Sequence, residues 1–97
     1  MPTYILLSNL TDEGAGTLTR NPERVQEVNK EVEKLGVKVR EQYAVLGPFD
    51  FVNVVEAPDN ATIARVSAEL GARGSVKITT LAAIPIGEFV ASLKKKG

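Results

Sequence analysis

The sequence contains no cysteine and no histidine. A disulfide, a thiolate zinc site, a thiol nucleophile and an imidazole base are therefore excluded. Tryptophan is missing as well. Charge of neither sign is in excess, because twelve Lys and Arg balance twelve Asp and Glu. A neutral chain lacks the broad attraction on which sequence-independent binders of nucleic acid or membranes rely. No apolar run approaches the roughly 18 residues of a membrane span, and no basic-then-apolar leader opens the chain. The expected setting is the cytoplasm, with no membrane partner. Carboxylates remain available for magnesium or calcium, but no spaced acidic loop points to such a site. No metal and no cofactor is expected.

What the chain does have is alternation around a tight turn. Leu46-Gly47-Pro48-Phe49-Asp50 lies between Val37–Val45 and Phe51–Val55, two runs with strand character. Gly47 tolerates positive φ and Pro48 has no amide hydrogen for a ladder, so the step reads as a hairpin loop. Thr3–Leu10 is a first strand, almost continuously apolar. Thr11–Gly16 reads as a loop or a broken helical turn, with Thr11 as a possible cap and two glycines against it. Asn21 with Pro22 opens a helix whose Val25, Val28, Val32 and Leu35 form one stripe, ended by Gly36. Asp59 caps a second helix, with Ile63, Val66 and Leu70 inward and Gly71 as its stop. Ser75–Ile84 is a fourth strand. After Pro85, Glu88–Lys96 forms a tail helix with Phe89, Val90 and Leu93 inward. Lys94-Lys95-Lys96 at its end complements the helix dipole.

The order is βαββαβ plus an extra C-terminal helix, in a single domain spanning 1–97. This predicts an α+β, ferredoxin-like fold: a four-stranded antiparallel sheet with its helices on one face. A two-residue turn at Gly47-Pro48 sets Leu46 opposite Phe49, Ala44 opposite Phe51 and Gln42 opposite Asn53. The face carrying Val39, Tyr43, Val45, Val52 and Val54 is the more uniformly apolar, so it is expected under the helices, with Ile5, Leu7, Val76 and Ile78. Glu41 falls on that face and does not fit, unless strand two lies at the edge or a bulge shifts the register. The opposite face is mixed. It carries Tyr4, Leu6, Ser8, Arg40, Gln42, Ala44, Phe49, Phe51, Asn53, Val55, Lys77, Thr79 and Leu81, and needs a cover. A second copy of the chain is the simplest one, and the tail helix folding back is the rival.

Turn and flanks together resemble the GYD-domain family of the dimeric α/β-barrel superfamily. The likeness is carried by Pro2-Thr3-Tyr4, Leu10-Thr11-Asp12-Glu13-Gly14, Pro22-Glu23-Arg24, Leu46–Asp50, Val55–Asp59, Gly74-Ser75-Val76-Lys77 and Thr80-Leu81. Gly-Tyr-Asp appears here as Gly47-Pro48-Phe49-Asp50, so any role of that tyrosine hydroxyl would be lost. The resemblance implies two sheets pairing as a dimeric α/β barrel, and it implies no settled activity. Superfamily members include cofactor-free oxygenases, isomerases and haem enzymes. A second resemblance is to the RNA-recognition motif, through Gly47, Phe49, Phe51-Val52 and Val54 on strand three and Ile5–Leu10 on strand one. In that motif aromatics stack bases. Here Leu6 replaces the strand-one aromatic, the heading basic residue is absent, Pro48 is inserted and Asp50 adds negative charge, so no nucleic-acid partner is expected.

On this reading a small polar or anionic ligand is held in the barrel between two subunits. Its candidate contacts are Tyr4, Ser8, Arg40, Gln42, Phe49, Phe51, Asn53, Lys77 and Thr79. Arg40 and Lys77, with Lys38 nearby, have an alternative as rim cations paired with the partner's carboxylates. Gly47, Pro48 and Asp50 are assigned to the turn, with the Asp50 carboxylate on backbone amides around 47–49 rather than acting as a base. Tyr43 is placed in the core. The expected function is a small-molecule-binding or regulatory module acting as a homodimer or larger assembly. The alternative is a cofactor-free oxygenase or isomerase using Arg40, Asn53 or Asp50.

Overall fold

The structure, a computed structural model, describes residues 1–95. Lys96, expected in the tail helix, lies outside the described residues. Four strands, β1 (Thr3–Leu10), β2 (Lys38–Ala44), β3 (Phe51–Glu56) and β4 (Val76–Ala83), form one antiparallel sheet in the order β2-β3-β1-β4. Helices α1 (Asp12–Arg20), α2 (Arg24–Lys34) and α3 (Asn60–Ala72) connect them, and α4 (Ile86–Lys94) follows β4. This is the α+β, ferredoxin-like fold that the order of elements predicts.

The stretch read as a loop or a broken helical turn at Thr11–Gly16 is the capped start of helix α1. Thr11 caps it as anticipated: its Oγ1 accepts from the Gly14 amide at 3.0 Å and donates to the Gly74 carbonyl at 2.7 Å. Gly14 serves close approach, because a Cβ there would stand 2.0 Å from the Ser75 carbonyl oxygen. Tertiary contact thus outweighs the low helix propensity of glycine. Asn21 does not cap α2. It ends α1, and the next helix begins at Arg24 with no side-chain cap. Asp59 does cap α3, its Oδ1 accepting from the Thr62 amide and hydroxyl at 2.8 Å each. That helix runs one residue past Gly71, and the chain turns at Gly74, whose φ is +82°.

The hairpin register is the expected one where it matters, with Ala44 opposite Phe51 and Gln42 opposite Asn53. The ladder closes at Val45, whose amide donates to the Asp50 carbonyl at 2.9 Å. Leu46 and Phe49 do not pair; both lie in the loop with Gly47, which has φ +118°. A bulge at Arg40 lets Val39 and Gln42, three residues apart, share one face, and it turns Glu41 to the other.

The faces of β1 and of the hairpin are the reverse of those predicted. Tyr4, Leu6 and Ser8 are buried beneath the helices, in rows with Val55, Asn53 and Phe51. Val32, Val37, Ala57, Ile63 and Val66 complete that core. The open face carries Glu41–Val54–Ile5–Leu81 and, beside it, Tyr43–Val52–Leu7–Thr79. Tyr43 is therefore not in the core; it is 55% exposed, and its hydroxyl donates to Glu41 at 2.9 Å. Val39, beyond the bulge, and β4 keep the predicted polarity, with Val39, Val76 and Ile78 inward and Lys77, Thr79 and Leu81 outward. The reason is that the face toward the helices must also line a partly polar cavity, so uniform apolarity was the wrong guide.

Helix α4 neither folds back over the open face nor turns its apolar side inward. It buries no residue, and Ile86, Phe89 and Leu93 are 75%, 45% and 70% exposed. The Cα radius of gyration is 15.0 Å, against roughly 12.5 Å for a compact chain of this length. Among the described residues, no helix is long and apolar enough to cross a membrane.

Candidate functional site

Reversing the faces brings three of the predicted polar residues, Ser8, Gln42 and Asn53, to one place. Between the sheet and helices α1, α2 and α3 lies a cavity of about 160 Å³. Its floor comes from β1 and the hairpin through Leu6, Ser8, Gln42, Phe51, Asn53 and Val55. Val25, Val28 and Val32 of α2 and Val66 and Leu70 of α3 form its roof, and Gly14, Thr17 and Leu18 of α1 close one end. The wall is mainly aliphatic, which follows from the two helix stripes facing a strand pair.

Four predicted site residues, Ser8, Gln42, Phe51 and Asn53, are brought together here. Gln42 is joined to Asn29 of α2 by a reciprocal amide pair: Asn29 Nδ2 donates to Gln42 Oε1 at 2.7 Å, and Gln42 Nε2 donates to Asn29 Oδ1 at 3.2 Å. Asn53 has no such partner. Its Oδ1 is buried and accepts no hydrogen bond, a condition that proteins rarely leave unmet.

The other five stand elsewhere. Tyr4 is buried at the far end of β1, where its hydroxyl donates to Asn60 Oδ1 at 2.5 Å and ties the strand to the start of α3. Arg40, on the bulge, donates through Nε to Glu56 Oε2 at 2.5 Å. This bond, aided by nearby positive charge, holds the Glu56 carboxyl below the usual carboxylate range. Phe49 is half-buried in the hairpin loop, and Lys77 and Thr79 are exposed on the open face. Asp50, whose carboxylate was expected on backbone amides around 47–49, meets a different amide instead. Its Oδ2 accepts from the Leu10 amide at 2.8 Å, and its own amide donates to the Ser8 carbonyl at 2.8 Å.

Asn29, Arg24 and Arg73, which line the cavity, are absent from the site read from the sequence. Asn29 stands four residues after Val25 and three before Val32, so the helical stripe itself placed it inward. Arg24 and Arg73 had no such signal. They meet at the cavity rim from the start of α2 and the end of α3, and both bind Glu31, Arg24 at 3.2 Å and Arg73 at 2.5 Å. Arg24 also reaches Glu27 at 3.1 Å. Glu31 is consequently held below the ordinary carboxylate range, Arg73 being the larger cause, and the Arg24 guanidinium is raised, chiefly by Glu27.

Fold and site together define a small α+β module with an internal cavity, and the GYD domain family matches it over residues 4–93. The chain belongs to that family. A protein of Thermus thermophilus named "Glutamine synthetase and cystathionine beta-lyase binding protein" is 62% identical over 95 residues, which cover 97% of this chain and 100% of the relative. The crystal structure of TTHA0845, also from Thermus thermophilus, is similar at 26% identity, with a TM-score of 0.56 over 88% of this chain and 95% of that one.

Proposed function

We propose that this chain is a regulatory binding module that docks on metabolic enzymes and carries a small-molecule site of its own. The observation that carries the first part is the 62% identity, along almost the whole chain, to a protein named for binding glutamine synthetase and cystathionine beta-lyase. The apolar side chains left uncovered on α4 supply a surface of the right kind, since an amphipathic helix recognises a groove through such a stripe. A cytoplasmic setting belongs to the same reading.

The chain acts as a homodimer or larger assembly in this proposal, through the open sheet face. Ile5, Leu7, Val52 and Val54 form the centre of that face, with Tyr43 and Leu81 beside them, and no part of the chain's own α4 covers them. Burial at about 25 cal/mol per Å² over such a patch offsets a typical association cost. The ligand belongs in the cavity of each protomer rather than between subunits, because Ser8, Gln42, Phe51 and Asn53 face inward.

Surface plasmon resonance with glutamine synthetase and cystathionine beta-lyase from the same organism tests the docking. The full chain should bind at least one of them, and the chain ending at Ile84 should bind more weakly. Absence of binding to both at micromolar concentration overturns the reading.

A further inference from the structure

Among the described residues, the cavity lining leaves a buried acceptor without a donor, while the cations at its rim are paired. Asn53 Oδ1 is an acceptor with no donor, whereas the neighbouring amides of Asn29 and Gln42 satisfy each other. Arg24 and Arg73, the cations at the rim, are already bound to Glu27 and Glu31. A carboxylate entering would lose hydration and have to compete with Glu27 and Glu31 for these guanidiniums, and an ammonium group would meet no carboxylate in the lining, so both are disfavoured. The remaining wall, with Val25, Val28, Phe51 and Leu70, favours an apolar body. A space of about 160 Å³ is of the size that admits a single benzene-like ring.

We propose that the cavity binds a small uncharged molecule with an apolar ring of roughly six to nine non-hydrogen atoms that donates one hydrogen bond, O–H or N–H, to Asn53 Oδ1. The inference rests on reading the cavity as a ligand site, and it replaces the polar or anionic ligand expected from the sequence. Water alone could satisfy Asn53, and the same test decides that.

Phenol, anisole and benzene serve as probes, titrated into the full-length, isotope-labelled chain and followed by amide chemical shifts around the cavity. Phenol donates a hydrogen bond, anisole can only accept one, and benzene does neither. Phenol should bind about five-fold tighter than anisole or benzene, the size expected of one added hydrogen bond. Asn53→Leu should erase that preference while still admitting benzene, and Val28→Phe, which fills the space, should abolish binding of all three. No shift with any probe means that the cavity holds water only, and overturns this inference together with the ligand reading beneath it. Equal affinities for phenol and anisole in the unaltered chain overturn the donor requirement alone and leave a ligand site of different chemistry. The wild-type comparison decides the point even if a variant fails to fold.

Discussion

Replacing Asp50 with alanine probes how the hairpin loop is fastened to the rest of the sheet. Three hydrogen bonds converge on this residue: from the Val45 amide to its carbonyl at 2.9 Å, from its amide to the Ser8 carbonyl at 2.8 Å, and from the Leu10 amide to its Oδ2 at 2.8 Å. Alanine keeps the first two and removes the third. The Leu10 amide, part-buried at the end of β1, is left without its charged acceptor just before Thr11, the cap of α1. A hydrogen bond to a charged group is worth about 1.5–3 kcal/mol, and partial burial argues for the lower end, about 1.5 kcal/mol. For a domain of this size that corresponds to a fall in Tm of roughly 6–12 °C. Asp50→Asn keeps a carbonyl acceptor and should lose about half as much. Thermal unfolding by circular dichroism at neutral pH measures the loss, and hydrogen exchange at the Leu10 amide locates it. A Tm changed by less than about 2 °C, with Leu10 still protected, would refute the assignment and return Asp50 to the candidates for chemistry.

Gly14→Ala should destabilise by about 1–3 kcal/mol, since its Cβ meets the Ser75 backbone and cannot be relieved by a side-chain rotation; denaturant unfolding reads the shift in midpoint. Val54→Glu, on the open face, should give a folded monomer by sedimentation velocity, whereas Phe51→Glu, which points into the cavity, should unfold the chain instead. Stability should also depend on pH through Glu31 and Glu56, whose folded pKa values are lowered by Arg73 and Arg40 respectively. A depressed carboxylate stabilises the fold above its unfolded value and loses that contribution as pH falls through the folded one. Tm should therefore drop as pH falls below about 4.5, and Arg40→Met with Arg73→Met should flatten that part of the curve, as calorimetry across the range would report.

Elements were legible in this sequence because punctuation and period agreed. Gly36 and Asp59 mark ends that the structure keeps, and Val28, Val32, Ile63 and Val66 face inward as their spacing requires. The side of the sheet was not legible in the same way. Tyr4-Ile5-Leu6-Leu7 is apolar at every position, so β1 carries no parity signal, and the hairpin was oriented by choosing its more apolar face. Glu41 was the contrary indication: a carboxylate belongs toward water, and the bulge at Arg40 accounts for the odd spacing of Val39 and Gln42. The site was partly visible for the same reason. Ser8, Gln42, Phe51 and Asn53 could be grouped from register alone, whereas Arg24 and Arg73 meet only through the packing of α2 against α3. Glycines at 14 and 16 argued against α1, and only the neighbouring Ser75 backbone explains why the first of them is a helix residue.

The central claim is that this module works by holding an enzyme, and isothermal titration of the chain into purified glutamine synthetase, repeated with cystathionine beta-lyase, tests it most directly. A saturable, stoichiometric complex with at least one of the two, at a Kd of about 10 μM or tighter (roughly −7 kcal/mol or better), is the predicted result. Heats indistinguishable from dilution for both enzymes at protein concentrations well above that range would contradict the account.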